Sequence, residues 1–278
     1  MQEQKHQFQP QLKNAVILCH SLNYHTKVHI MNSPKRVVMV GAGGIGTWLA
    51  SGIVRLLEWK FPGSALIIVD GDHYEAKNLE RQDFTQMGNK ASVKALELSK
   101  QFSATMIIPI PKWVVSDDHP DVDEEASKVK ASQLITEGDI VLAVVDNFSA
   151  RKILFDAASK LDNVDVFTGG NDDNLFGSLY HYQRRNGQDV TAHPVETHPE
   201  YQNPPDRNPG EMSCQERAEV EGGTQILATN MAVAAFILGR IQHTLVSDQN
   251  PEQSEIYFDL GLGMAQPYNR MVNTLISI

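Results

Sequence analysis

Cysteine is nearly absent from this 278-residue chain, which has only Cys19 and Cys214. Two cysteines cannot form a four-cysteine zinc site, and a single disulfide would be unusual in a reducing compartment. No apolar run approaches the roughly 20 residues that cross a bilayer, and the polar stretch 1–10 lacks a signal peptide's apolar segment. We therefore expect a cytoplasmic protein with no structural zinc and no membrane contact.

Positive charge is also scarce, since 24 basic residues stand against 34 acidic ones and the net charge is −10. No basic tract occurs in the sequence. Binding to duplex nucleic acid depends on many contacts between basic side chains and phosphates. The charge balance therefore argues against nucleic acid as the main partner.

Strand and helix patterns alternate through the first part of the chain. A buried-strand pattern at 35–40 leads into Gly41-Ala-Gly-Gly-Ile-Gly46 and then into a helical pattern. Further strand patterns cover 65–69, 106–110, 140–145 and 164–170, with helical patterns at 91–100 and 149–161. Continuous β-branched runs are typical of strands buried on both faces of a parallel sheet. The pattern predicts a Rossmann-like, mainly parallel α/β sheet with helices on both faces.

The pattern changes after residue 170. Two strand patterns flank Asn186-Gly187, a strong hairpin signal, and 193–213 is proline-rich and irregular. A helix at 224–245, apolar on most sides and therefore expected to be buried, precedes a strand at 255–260. We predict a more antiparallel C-terminal half within one domain, 35–278, divided at about residue 170. Residues 1–34 read as a leader with an edge strand at 15–19.

Polar residues after the predicted strands indicate which nucleotide the glycine turn binds. The turn alone is compatible with NAD(P), FAD or ATP, and Asp70 would accept hydrogen bonds from the ribose of any of them. Arg81 and Lys90 supply positive charge for β- and γ-phosphates. Asp146 is a hard oxygen ligand suited to Mg²⁺. Together these residues favour ATP with Mg²⁺.

These motifs resemble those of the E1-like family of ThiF, MoeB and HesA proteins and the ubiquitin-activating enzymes. Gly88-Asn-Lys90-Ala91 is similar to the family's Gly-x-x-Lys-Ala element but one residue shorter, which leaves Lys94 as an alternative phosphate lysine. Asp146-Asn147-Phe-Ser-Ala-Arg151 is similar to its magnesium-binding patch. The nucleotide-binding positions implied by the resemblance are Gly41, Gly43, Gly44, Gly46, Asp70, Asp72, Asn78, Arg81, Gln82, Lys90, Asp146 and Asn147.

The resemblance implies an ATP-dependent adenylation of a carboxylate with release of pyrophosphate. The usual substrate in this family is the C-terminal glycine of a small ubiquitin-like protein, whose tail the half from about 171 to 278 would face. In overall form the chain is most similar to the stand-alone ThiF-type proteins of bacterial PRTRC gene systems. The implied catalytic residues are Arg81, Lys90 and Asp146.

Three features depart from the family pattern. The family's two Cys-x-x-Cys zinc pairs are absent. Residues 1–34 lack its Tyr-Ser-Arg-Gln element, whose arginine reaches into a neighbouring subunit, so the usual homodimer is left open. Cys214 lies where members with a thioester step carry their nucleophile, and an ordinary loop cysteine is the equal alternative.

Some of these polar residues also have a purely structural explanation. Asp146 could be the N-cap of the following helix. The spacing of His181, His193 and His198 fits no familiar zinc pattern, so we expect them on the surface.

Three other functions remain open from the sequence. The first is adenylation of a small-molecule or tRNA-borne carboxylate. The second is an NAD(P)-dependent oxidoreductase. The third is a non-catalytic adaptor that binds a ubiquitin-like protein without activating it.

Overall fold

The structure is a computed structural model, and it describes residues 33–120, 127–171, 175–212, 216, 226–246 and 253–272. The predicted edge strand at 15–19, Cys19 and Cys214 lie outside these residues. The helices are α1 Gly44–Lys60, α2 Lys90–Ser99, α3 Ala131–Leu134, α4 Phe148–Ala158, α5 Pro194–Thr197, α6 Pro199–Gln202 and α7 Leu227–Val246. Two 3₁₀ helices cover Ala76–Glu80 and Pro209–Glu211.

Thirteen strands are present among the described residues. They are β1 Arg36–Val40, β2 Ala65–Val69, β3 His73–Tyr74, β4 Gly88–Asn89, β5 Met106–Ile110, β6 Trp113–Val115, β7 Lys128–Lys130, β8 Ile140–Ala143, β9 Val164–Asn171, β10 Phe176–Arg185, β11 Gln188–Asp189, β12 Glu255–Asp259 and β13 Met264–Tyr268.

The main sheet has nine strands in the order β13-β12-β10-β9-β8-β1-β2-β5, with β11 beside β10. The pairs from β9 to β5 are parallel. The pairs that involve β10, β12 and β13 are antiparallel. The predicted fold class, a parallel half that continues into an antiparallel half, is confirmed.

Helices cover both faces of the parallel strands, which explains their continuous apolar sequences. Met39 and Leu142 pack with α1, α2 and α7 on one face. Val38 and Val141 pack with α3 and α4 on the other. All four side chains are fully buried, as expected of strands at the centre of a doubly covered sheet. The two layers hold the carboxyl ends of the strands in fixed positions.

The structure also corrects several expectations. The acidic and polar sequence of 116–130 indicates a surface loop or loose helix, but β7 lies at its end and pairs in parallel with β6. Strand β13 was not predicted. Helix α7 buries only one face, and Met231 on its other side is 46% exposed, so the expectation of burial on most sides was wrong. The hairpin at Asn186-Gly187 is confirmed, with φ of 52° and 75° at the two turn residues.

No helix among the described residues is long and apolar enough to cross a membrane.

Candidate active site

A cavity of about 930 Å³ lies at the carboxyl ends of β1, β2 and β8. Strand β1 lies between the other two, and the chain leaves it first toward β2 and later returns at β8. Crevices at such a topological switch point are the usual ligand sites of open α/β sheets. The segments that follow the three strands therefore converge on one space.

The glycine turn after β1 forms one wall of this cavity. Gly41 has φ of +102°, and a Cβ there would lie 2.6 Å from the Val144 carbonyl oxygen. Gly46 has no room for a side chain, because a Cβ would lie 2.1 Å from the Gly41 carbonyl oxygen. Gly43 is the N-cap of α1, and no side chain caps this helix end. The N–H groups of the first turn are thus available to an anion.

Asp70, which follows β2, holds the glycine turn in place. Its Oδ2 accepts a hydrogen bond from the Ala42 backbone N–H at 2.7 Å, and its Oδ1 accepts one from that of Asp72 at 2.8 Å. Burial raises the pKa of Asp70, although Lys90 and the two backbone donors oppose the rise. Asp70 lines the cavity, and its contact with a ribose stays a prediction.

Lys90 presents its ammonium group at the cavity. Its Nζ lies 2.5 Å from Asp72 Oδ2. Burial alone would lower the pKa of Lys90, but the nearby carboxylates of Asp70, Asp72 and Asp146 outweigh it and raise the pKa. The lysine is therefore firmly charged.

Lys94, the alternative phosphate lysine, points elsewhere. Its Nζ donates to the Asp83 carbonyl oxygen at 2.5 Å and to Glu97 Oε2 at 2.7 Å. Its side chain is 2% exposed, and it is not among the residues that line the cavity. Of the two lysines, the structure therefore brings Lys90 to the site.

The 3₁₀ helix Ala76–Glu80 and the two residues after it form the next wall. Asn78 is buried and its Oδ1 accepts a hydrogen bond from the Glu75 N–H at 2.9 Å, which fixes the local fold. Arg81 Nη1 lies 3.1 Å from Glu80 Oε1. Arg81 Nε and Gln82 Oε1 are buried without a hydrogen-bond partner in the described structure. Buried polar atoms are nearly always paired, so this wall is suited to a polar ligand.

Asp146 and Asn147 lie in the turn that follows β8, which pairs with β1 on the side opposite β2. Asn147 is the N-cap of α4, with its Oδ1 accepting from the Ala150 N–H at 2.8 Å. The interpretation of Asp146 as the N-cap was therefore wrong. Its side chain is exposed to the cavity. Arg151 ties β8 to β9, because it donates to the Val145 and Gly169 carbonyl oxygens at 2.7 and 2.8 Å.

Several residues of this cavity were not predicted from the sequence. They include Trp113, Asn171, Asp206, Arg207 and Asn208. Three of these fall in the irregular segment 193–213, where no motif marks them. Its length alone indicated a functional loop.

Comparison with known proteins now bears on this geometry. The sequence matches the ThiF family over residues 25–258. The chain belongs to the ThiF family. No curated protein matches the sequence of this ThiF-family protein.

Solved structures show the same fold in other proteins. PaaA has 16% sequence identity and a TM-score of 0.57, with 86% of this chain and 64% of PaaA covered. Escherichia coli MccB, crystallised with AMPCPP and MccA, has 17% sequence identity and a TM-score of 0.59, with 88% of this chain and 66% of MccB covered. MccB crystallised with ATP has 17% sequence identity and a TM-score of 0.57, with 89% of this chain and 67% of MccB covered. This ThiF-family chain thus spans about two thirds of those proteins.

The carboxylates of the cavity fit one type of metal ion. Among the described residues, no group of three or more histidine, cysteine, aspartate or glutamate side chains converges on a point. Mg²⁺ needs fewer protein ligands, because it is usually held by one or two carboxylates together with substrate phosphates and water. Asp146 in this ThiF-family protein lines the cavity and could supply such a carboxylate.

The histidines lie away from this cavity. His181 is 2% exposed, its Nε2 lies 2.9 Å from Asp165 Oδ1, and its ring stacks on Phe167. The expectation of a surface position for His181 was therefore wrong. His198 pairs with Glu255 at 2.8 Å. The first contact joins β10 to β9, and the second joins the segment between α5 and α6 to β12.

Proposed function

We propose that this protein adenylates a carboxylate with Mg·ATP and releases pyrophosphate. The observation that carries the proposal is the convergence of the Gly41–Gly46 turn, Arg81, Lys90 and Asp146 on one cavity. An enzyme of this type must bind a triphosphate that carries several negative charges. A dehydrogenase binding NAD(P) would leave Lys90 and Asp146 without a shared purpose.

The residues have distinct proposed roles. The N–H groups at the start of α1 and the charged Lys90 bind phosphate oxygens. Arg81 supplies a second cation, and its buried Nε gains a partner when the ligand is bound. Asp146 holds Mg²⁺, which when bound neutralises charge on the phosphates. Asp70 accepts hydrogen bonds from the ribose hydroxyls.

In the proposed reaction, an oxygen of the substrate carboxylate attacks the α-phosphorus. A bond forms between that oxygen and phosphorus, and the bond from the α-phosphorus to the bridging oxygen of the β-phosphate breaks. Pyrophosphate leaves with the electron pair, and the product is an acyl adenylate. The substrate carboxylate is itself the nucleophile, so the protein's part is to position the reactants and stabilise the charge on the leaving group.

For the carboxylate, we propose the C-terminal glycine of a small ubiquitin-like protein. The motifs that this chain shares with E1-like proteins support that choice. MccB has been crystallised with the partner MccA, and this agrees with a peptide-like substrate. Met212 lines the cavity and stands two positions before Cys214 in the sequence. Transfer of the acyl group to the Cys214 thiolate would be a separate and later step, in which a carbon–sulfur bond forms and AMP leaves the acyl carbon.

The test is pyrophosphate–ATP exchange by the purified protein. The acyl substrate offered is a small ubiquitin-fold protein whose tail ends in Gly-Gly. The proposal expects exchange that depends on Mg²⁺ and on the intact tail, and that is lost in Arg81→Ala. A matched control is Arg55→Ala, which removes an exposed arginine outside the cavity.

The exchange assay and two binding measurements together separate the competing functions. Exchange with a small carboxylic acid or with a tRNA that bears a free carboxylate, but not with the tail, would keep the adenylation chemistry and replace the substrate. Tail binding without any exchange would favour the adaptor. Enhanced NADH fluorescence on mixing, with no ATP binding, would favour the oxidoreductase.

A further inference from the structure

Residues 206–208, here called the strap, line the cavity together with Asp146. Asp206 accepts hydrogen bonds from the Phe148 and Ser149 N–H groups at 2.8 and 2.9 Å, and Asn147 Nδ2 donates to the Arg207 carbonyl oxygen at 2.8 Å. The strap is thus bound to the turn that carries Asp146.

The other end of the strap is fixed to β6. Asn208 is 3% exposed, and its Nδ2 donates to the Val114 carbonyl oxygen at 2.9 Å. Its Oδ1 accepts from the Gly210 N–H at 3.1 Å. The backbone of Arg207 is therefore held on both sides, and Arg207 is one of the residues that line the cavity.

The side chain of Arg207 is held much more weakly than its backbone. It is 62% exposed, and its Nη1 lies 2.8 Å from Glu216 Oε1, on a side chain that is 44% exposed. Exposed ion pairs contribute little to stability because water screens them. A guanidinium group, however, binds phosphate oxygens strongly and in a bidentate geometry. A triphosphate in the cavity would compete effectively with Glu216.

The position of Arg207 complements the cations already described. Lys90 and Arg81 come from the chain after β2, whereas the strap is bound beside the end of β8, on the other side of β1. Arg151 also lines the cavity, but its guanidinium is engaged by two backbone carbonyl oxygens. Of the two described arginines that line the β8 side of the cavity, Arg207 is thus the one that can change partners.

We propose that Arg207 is a phosphate-binding residue, whose guanidinium exchanges Glu216 for oxygens of the bound triphosphate. This inference rests on the proposed function of the same site. Glu216 acts as the internal counter-ion of the ligand-free protein. It competes with ATP for Arg207.

Isothermal titration of Mg·ATP into the full chain tests the exchange. Arg207→Ala should weaken ATP binding about tenfold or more, since one charge-assisted contact is lost. Binding of AMP should change much less, because AMP lacks the outer phosphates. Glu216→Gln should tighten ATP binding about two- to threefold by releasing Arg207, and it should have no effect in the Arg207→Ala background. Arg55→Ala is the control for loss of one positive charge.

The outcomes distinguish this inference from the function on which it rests. Equal ATP affinity of the wild type and Arg207→Ala would overturn the role of Arg207 and leave the proposed function standing. If that variant binds ATP normally but loses exchange activity, Arg207 serves the acyl substrate instead, and the phosphate assignment is wrong. No ATP binding by the wild type would overturn both. Should Arg207→Ala unfold, two other variants provide the same test. Arg207→Lys should weaken ATP binding, and Glu216→Gln should tighten it.

Discussion

Lys90 Nζ lies 2.5 Å from Asp72 Oδ2 at the wall of the cavity. The partner is a carboxylate from the segment that follows β2, while Lys90 itself begins α2. The side chain of Asp72 is 48% exposed, whereas that of Lys90 is 11% exposed. The ammonium group is thus held in place and kept charged beside the glycine turn.

We predict that Lys90→Ala weakens Mg·ATP binding about tenfold or more, because a charged hydrogen-bond donor to phosphate is lost. The measurement is the dissociation constant by isothermal titration. Lys152→Ala is a matched control, since Lys152 Nζ also lies 2.5 Å from a carboxylate, that of Asp156, but outside the cavity. Equal losses of ATP affinity in the two variants would show that the protein's overall positive charge, and not the position of Lys90 at the cavity, determines the affinity.

Lys94→Met should destabilise the protein without weakening ATP binding. Its removal leaves the largely buried Glu97 carboxylate without its ammonium partner, although Thr85 still donates to it. We expect the free energy of unfolding to fall by about 1–3 kcal/mol and ATP affinity to stay near that of the wild type. Denaturant unfolding and titration together check this. A large loss of affinity in a variant that is fully folded would assign the phosphate role to Lys94.

Asp146→Asn should raise the Mg²⁺ concentration that is needed for half-maximal ATP binding. An amide is a weaker ligand for Mg²⁺ than a carboxylate, so metal-dependent binding falls while binding of metal-free adenosine does not. Asp156→Asn removes a carboxylate from α4 outside the cavity and serves as the control. An unchanged Mg²⁺ dependence in Asp146→Asn would contradict its role as ligand.

Gly41→Ala should destabilise the protein. The φ of +102° is unfavourable for alanine, and its Cβ would lie 2.6 Å from a backbone oxygen that has little freedom to move. We expect a loss of at least about 1–2 kcal/mol. Gly239→Ala is the matched comparison, because this glycine lies in α7 with nothing within 4 Å of the added Cβ, and it should be neutral or stabilising by up to about 1 kcal/mol. Unfolding transitions of the two variants in urea provide the measurement.

Stability should fall on acidification from pH 7 to pH 5, in part because of His181. Burial lowers the pKa of His181, with Arg240 and Arg185 acting in the same direction and Asp165 opposing them. Below the ordinary histidine pKa of about 6.5, the unfolded chain therefore binds a proton that the folded chain does not. His181→Gln should reduce the slope of melting temperature against pH in this range. Part of the slope should remain, because burial also lowers the pKa of His193.

A steeper slope in His181→Gln would contradict the direction of the His181 shift. Asp165 titrates in a different range. Its partners His181 and Arg185 lower its pKa against the effect of burial, so the stability it contributes is lost only near or below pH 4.

The sequence predicted the parallel half of the fold well, because the strands there are covered on both faces and have continuous apolar runs. Strand β2 and strand β5 have the predicted bounds. Prediction from the sequence failed where the local hydrophobic patterns are weak. All five residues of β13 are exposed, so the strand has no apolar alternation that periodicity could detect. The strand β7 is three residues long and pairs in parallel with β6, a contact that so short a sequence pattern does not reveal.

The candidate site was predicted in part. Residues that follow strands could be placed, since the carboxyl ends of neighbouring parallel strands share one edge of the sheet. The choice between Lys90 and Lys94 could not be made, because it depends on which face of α2 packs against the segment that carries Asp83. The strap could not be predicted either. Asp206 reaches α4 across 57 and 58 residues of chain, a separation beyond any local pattern.

A crystal structure of the protein with Mg²⁺ and a non-hydrolysable ATP analogue tests the central claim most directly. We predict phosphates against the N–H groups of the Gly41–Gly46 turn, within hydrogen-bonding distance of Lys90 and Arg81, and a metal ion bound by Asp146. A nucleotide bound elsewhere, or a nucleotide in this cavity whose phosphates contact none of these groups, would contradict the account.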